Sequence, residues 1–141
     1  MKMQSSIIAI ACSMSLWSGV CLAADDQVDY LKQVKPILRE RCYACHGALK
    51  QEGGLRLDTA ALAIKGGDSG TSIQLGDAAA SLLLERVSAT EEAERMPPEG
   101  EPLKPAQIEA LRRWITQKAV APKDEQPERD PREHWAFKTP T

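Results

Sequence analysis

Between residues 25 and 45 the apolar positions Leu31, Val34, Leu38, Cys42 and Cys45 return at steps of three and four, the spacing of one helix face. Asp25 or Asp26 can cap its start. Pro36 interrupts the run and predicts either a kink or a fresh helix with Pro36 in its first turn, and Gly47 stops it. The pattern then dissolves into a wrapping loop with glycines at Gly53, Gly54, Gly66, Gly67, Gly70 and Gly76, broken by a short helical candidate from Thr59 to Ile64. Asp77 to Val87, with Leu82, Leu83 and Leu84 inside it, predicts another helix capped by Asp77. Glu91 to Lys104 cannot be regular, because it holds Pro97, Pro98, Pro102 and Gly100, and Met96 is pushed toward an extended backbone by the proline after it. Pro105 to Lys118 is the clearest helix: Ile108, Leu111 and Ile115 share a face, flanked by Trp114. These elements predict an all-α domain over residues 24–120. Residues 121–141 follow as a linker rich in proline and mixed charge, outside any core, ending in the apolar burst His134-Trp135-Ala136-Phe137.

The first 23 residues read differently. Lys2 is a minimal basic start, an apolar run extends from Ile7 to Val20, and small residues around Leu22-Ala23-Ala24 suit cleavage, so residues 1–23 predict a secretory signal peptide. The competing reading is an uncleaved anchor, diluted by Ser5, Ser6, Ser13, Ser15 and Ser18. No later segment is apolar enough to cross a membrane. Cleavage removes Cys12 and Cys21 and leaves Cys42, Cys45, His46, His134 and Met96 as the soft metal ligands of the mature chain.

Composition narrows the function. Eighteen Lys and Arg stand against 20 Asp and Glu, a formal net charge of −2, and this excludes a protein built on nucleic-acid phosphate contacts. Only 4% of the 141 residues are aromatic, so a core of this size lacks its usual bulky fillers.

Cys42-Tyr43-Ala44-Cys45-His46 is C-x-x-C-H, the attachment signature of a c-type haem. Two thiols three residues apart near a helix end can both reach the vinyl groups of one porphyrin, and the adjacent imidazole can ligate the iron. Three plainer readings compete. A redox C-x-x-C expects a strand before it, whereas a helix precedes this one. A structural zinc site needs four ligands, and the mature chain offers Cys42, Cys45, His46 and the distant His134. A disulfide between the two cysteines leaves the histidine without a role. Covalent haem attachment also agrees with an exported, periplasmic or otherwise extracytoplasmic protein.

The sixth ligand decides the role. Met96 lies 50 residues after His46 on a proline-stiffened loop where core packing is not expected, which favours thioether ligation in the His/Met manner of cytochromes c. His134 is the rival; an open fifth-coordinate iron that binds peroxide or a gas, as an enzyme or sensor, is a third arrangement. One covalent haem c per chain would also supply missing core mass, with Leu31, Val34, Leu38, Leu82, Leu83, Ile108, Leu111, Trp114 and Ile115 packed about it. Gly66-Gly67-Asp68-Ser69-Gly70 lacks the Gly-Lys-Ser/Thr of a phosphate loop and reads as turns. The acidic run Glu91, Glu92 and Glu94 reads as a solvated face.

Taken together, Val34-x-Pro36-Ile37-Leu38, Cys42-x-x-Cys45-His46-Gly47, Gly53-Gly54-Leu55-Arg56-Leu57-Asp58, Gly66-Gly67-Asp68-Ser69-Gly70, Ser81-Leu82-Leu83, Met96-Pro97-Pro98 and Leu111-x-x-Trp114-Ile115 resemble the planctomycete-type cytochrome c domain, a class I-like c-type cytochrome, over residues 28–120. The resemblance implies a small helical domain wrapped around haem, thioether attachment at Cys42 and Cys45, His46 as proximal and Met96 as distal ligand. It implies one-electron transfer between redox partner proteins rather than catalysis. In that family the domain usually opens a longer secreted polypeptide, and His134-Trp135-Ala136-Phe137 then marks the start of a further module, for which this one would be a redox partner. Lys104 departs from the family's usual Ser or Thr helix cap.

Overall fold

The computed structural model describes residues 27–137, so the signal peptide read over 1–23 and the caps read at Asp25 and Asp26 lie outside the described residues. Within this stretch the chain is helical. It contains no strand, only isolated bridges at His46 and Gln51, Gly67 and Gly70, and Gln74 and Asp77. Among the described residues no helix is long and apolar enough to cross a membrane.

The chain enters through a π-helical turn, Tyr30–Val34, whose start is capped by Asp29 accepting from the Lys32 amide at 3.2 Å. Helix α1, Lys35–Arg41, continues from it with Pro36 in the first turn, which is the fresh start that proline allows. The π turn corrects the predicted face. It takes one residue more per turn than an α-helix, so stepping back from Val34 lands on Tyr30 (4% exposed), and Leu31 is turned out to solvent at 54%. Leu31→Ser is accordingly expected to change unfolding stability by less than about 0.5 kcal/mol in denaturant titration, the behaviour of a surface site.

Four further helices complete the body: α2 Tyr43–His46, α3 Ala60–Lys65, α4 Leu82–Ser88 and α5 Pro105–Thr116. Thr59 caps α3, its hydroxyl accepting from the Leu62 amide at 3.2 Å. Helix α4 starts later than the predicted Asp77. The Asp77 carboxylate accepts from the Ala80 amide at 3.1 Å and closes a separate turn, and Ser81 spends its hydroxyl on Asp77 O (2.7 Å) and the Gln74 amide (2.9 Å). Helix α5 begins despite Lys104, because Gln107 Oε1 reaches back to the Lys104 amide at 2.9 Å. It ends before the predicted Lys118 because Lys118 and Ala119 take left-handed φ of 65° and 50°.

The core corrects the expected packing. Tyr30 and Trp114 stack at 5.3 Å between centroids, and Val34, Leu38, Leu111 and Ile115 are fully buried in the same cluster. Two aromatic rings placed in contact fill what the composition left thin. The Trp114 indole N–H is satisfied by Val120 O at 2.9 Å.

The polar segment after Ala121 is tied to this body at a few points. Glu125, on that segment, accepts from Tyr30 Oη at 2.8 Å and from Lys35 Nζ, while its other oxygen accepts from the Ala60 amide at 2.8 Å. Burial, and then the Glu125 carboxylate, push the Tyr30 phenol far above its ordinary range, so it remains a donor. Fully buried Asp58 accepts from Arg56 and from the Glu128 amide at 2.8 Å, and Arg56 also reaches Glu128 O at 3.0 Å. Composition predicts a free linker; two carboxylates with long-range partners make it a strap.

Candidate functional site

Cys42 stands where two helices break. Its amide closes α1 onto Leu38 O at 2.9 Å, its φ and ψ of −124° and −35° leave the helical region, and its carbonyl accepts from the His46 amide at 2.8 Å to open α2. The single turn of α2 therefore carries Cys45 and His46 at a fixed step from Cys42. Immediately afterwards the chain must leave. At Gly47 an added Cβ would sit 2.5 Å from the Tyr43 carbonyl oxygen, so only glycine can follow the histidine here. The His46 carbonyl accepts from the Leu57 amide at 2.8 Å, which pins the histidine backbone from its other side.

Cys42, Cys45, His46 and Met96 all line one cavity of about 690 Å³, within the range of about 300–1,000 Å³ typical of small-molecule and cofactor sites. Leu82, Leu83 and Val87 of α4 form part of its wall, and Leu55 and Leu57 another part. A glycine-rich edge completes it. Gly67 packs against the 53–55 backbone so closely that a Cβ would approach Gly53 O to 2.3 Å, and the Asp68 amide donates to Gly53 O at 2.7 Å. Met96-Pro97-Pro98 contribute from the irregular loop after α4, with the Met96 amide held by Arg86 O at 2.9 Å and its side chain 39% exposed. Of the side chains expected around a haem, Leu82 and Leu83 line the cavity, whereas Val34, Leu38, Leu111, Trp114 and Ile115 lie in the separate core and Leu31 faces solvent.

The donor chemistry fits a covalently tethered haem. Both thiols are free and half-buried. Burial pushes the Cys42 thiol up to about 11, against the lowered thiols of catalytic C-x-x-C pairs. His46 Nδ1 is buried with no hydrogen-bond partner, a costly state for an imidazole nitrogen at about 1–3 kcal/mol and one that calls for a partner. Tyr43 Oη is buried in the same condition, but Tyr43 packs against the core and does not line the cavity. Among the described residues no three His, Cys, Asp or Glu side chains gather as a metal-ion site. His134 is exposed, does not line the cavity, and lies edge-on to Phe137 at 6.5 Å.

Charge is confined to the cavity's rim, where Arg41, Lys50 and Arg86 alternate with Glu40, Glu52 and Glu99. The Lys50 to Glu52 pair at 2.8 Å is more than half exposed on both sides and contributes little to stability.

The roles of Leu55 and Leu57 were not separable in the sequence from those of the surrounding loop. Their signal is a period of two: Leu55 is extended, Leu57 follows on the same side, and Arg56 between them turns to Asp58.

Residues 42–100 match the family model described as planctomycete cytochrome C, which bears out the resemblance carried by the sequence motifs. A cytochrome c segment of this type implies haem c binding, electron transfer and redox partners, and its helical character agrees with the fold. No curated protein and no solved structure matches the chain.

Proposed function

We propose that this chain, similar over residues 42–100 to the planctomycete cytochromes c, carries one haem c and passes single electrons between protein partners outside the cytoplasm. Bound haem supplies a one-electron ferric/ferrous couple at a potential raised by His/Met ligation. In this reading Cys42 and Cys45 hold the macrocycle by thioether bonds, and His46 and Met96 are the axial ligands. The backbone bonds on either side of His46 orient its imidazole. Leu55, Leu57, Leu82 and Leu83 keep water from the apolar wall. The N-terminal signal and the attachment chemistry both support an extracytoplasmic setting.

The observation that carries the reading is the convergence of two half-buried thiols, an imidazole and a thioether, drawn from positions 42–96, on one cavity. In a potentiometric titration of the purified holoprotein, the visible bands are expected to follow a single one-electron Nernst curve. The ferric protein is expected to be low-spin at rest. A high-spin ferric spectrum would overturn the carrier reading in favour of a peroxide- or gas-binding site.

A further inference from the structure

The cavity's Met96 side is built unlike its other walls. From Ser88 to Pro102 no residue is buried; the flanking anchors are Val87 (3% exposed) and Leu103 (4%). A segment without apolar burial has little of its own to keep it closed and belongs to the low-stability end of a fold. Its attachments to the body are hydrogen bonds, and they come from two arginines. Arg86 on α4 accepts the Met96 amide on its carbonyl at 2.9 Å and extends its guanidinium to Glu94, at 3.3 Å to the carboxylate and 3.4 Å to the carbonyl. Arg41, the last residue of α1 and the neighbour of Cys42, donates from Nη2 to the Glu101 carbonyl. One arginine therefore grips the segment before Met96 and the other after it. The remaining side-chain bond, Arg95 to Gly100 O at 3.4 Å, is internal to the segment.

We infer that Arg41 and Arg86 are positioning residues that clasp the Met96 segment shut and so hold its thioether on the iron; this rests on the His/Met reading given above. Neither guanidinium ligates anything. Each acts by biasing the segment toward the closed arrangement, in which the sulfur is available, over an open one in which an outside ligand can take its place.

Imidazole reads that bias directly, because it binds ferric haem only where Met96 has left. Titrated into the ferric holoprotein, it is expected to bind Arg41→Ala and Arg86→Ala each about threefold to tenfold more tightly than the parent, the shift one net hydrogen bond represents. The double variant should bind more tightly than either. Arg86→Lys should return part of the way, because a lysine keeps the charge but not the fork that reaches two acceptors. Arg112→Ala, which removes an exposed pair with Glu109 on α5, should bind as the parent does. Both tested side chains lie outside the core, and a retained low-spin spectrum without imidazole reports that the variants are folded. If the parent lacks the thioether-to-iron band, the His/Met reading and the clasp fall together. If that band is present and the arginine variants bind imidazole as the parent does, the clasp alone is refuted.

Discussion

Cys42→Ala combined with Cys45→Ala is expected to give protein with no pigment that survives acid-acetone extraction, while either single variant keeps a reduced amount attached through the remaining thiol. Both sulfurs line the same cavity and are free to be alkylated. Extraction removes a haem held by coordination and apolar contact alone, so the residual pigment reports the covalent bonds. Pigment retained at the parent level by the double variant would refute attachment at these positions. The fold should persist. The Tyr30 and Trp114 stack and the buried Val34, Leu38, Leu111 and Ile115 form a core away from the cavity, so circular dichroism is expected to retain a helical spectrum in the double variant. A chain that collapsed to coil would show instead that the haem is a structural member of the core.

Met96→Ala is expected to abolish the weak charge-transfer band that a thioether gives at the red end of the ferric spectrum and to leave the iron high-spin or bound by an outside ligand. The midpoint potential should fall as well, because a neutral sulfur favours ferrous iron more than water or a nitrogen ligand does. Met96 sits on an exposed segment and makes no core contact. Its loss should therefore cost little stability and act almost wholly on the spectrum and the potential. His134→Ala is the natural control: the imidazole stands outside the cavity, and the spectrum should not move. A band that survives Met96→Ala would assign the sixth position to another group.

The chemistry was more legible in the sequence than the packing. Cys42, Cys45, His46 and Met96 stand out because their side chains are scarce in the mature chain and their spacing follows from the dimensions of one macrocycle. Helices α3 and α5 are legible from local signals, namely Thr59 as a cap and Pro105 with the Ile108, Leu111 and Ile115 face. Leu31 misleads because a single π turn shifts the register by one residue, and a 3.6-residue template has no means of representing it. Asp77 misleads because a carboxylate caps a turn as readily as a helix. Glu125 was invisible for a different reason. Its three partners lie 95, 90 and 65 residues away, and nothing local distinguishes a buried, fully bonded glutamate from the solvated ones around it.

That glutamate also determines how the domain answers mechanical load. Tension applied to the chain beyond Pro127 would meet the bonds of Glu125 to Tyr30, Lys35 and the start of α3 before it reached α5. Tyr30 and Lys35 belong to the continuous helical rod that ends in Arg41 and Cys42. A pull on the C-terminal strap is thus directed along the rod that carries the first attachment thiol, and the strap works as a tether point on the cofactor-bearing part of the domain.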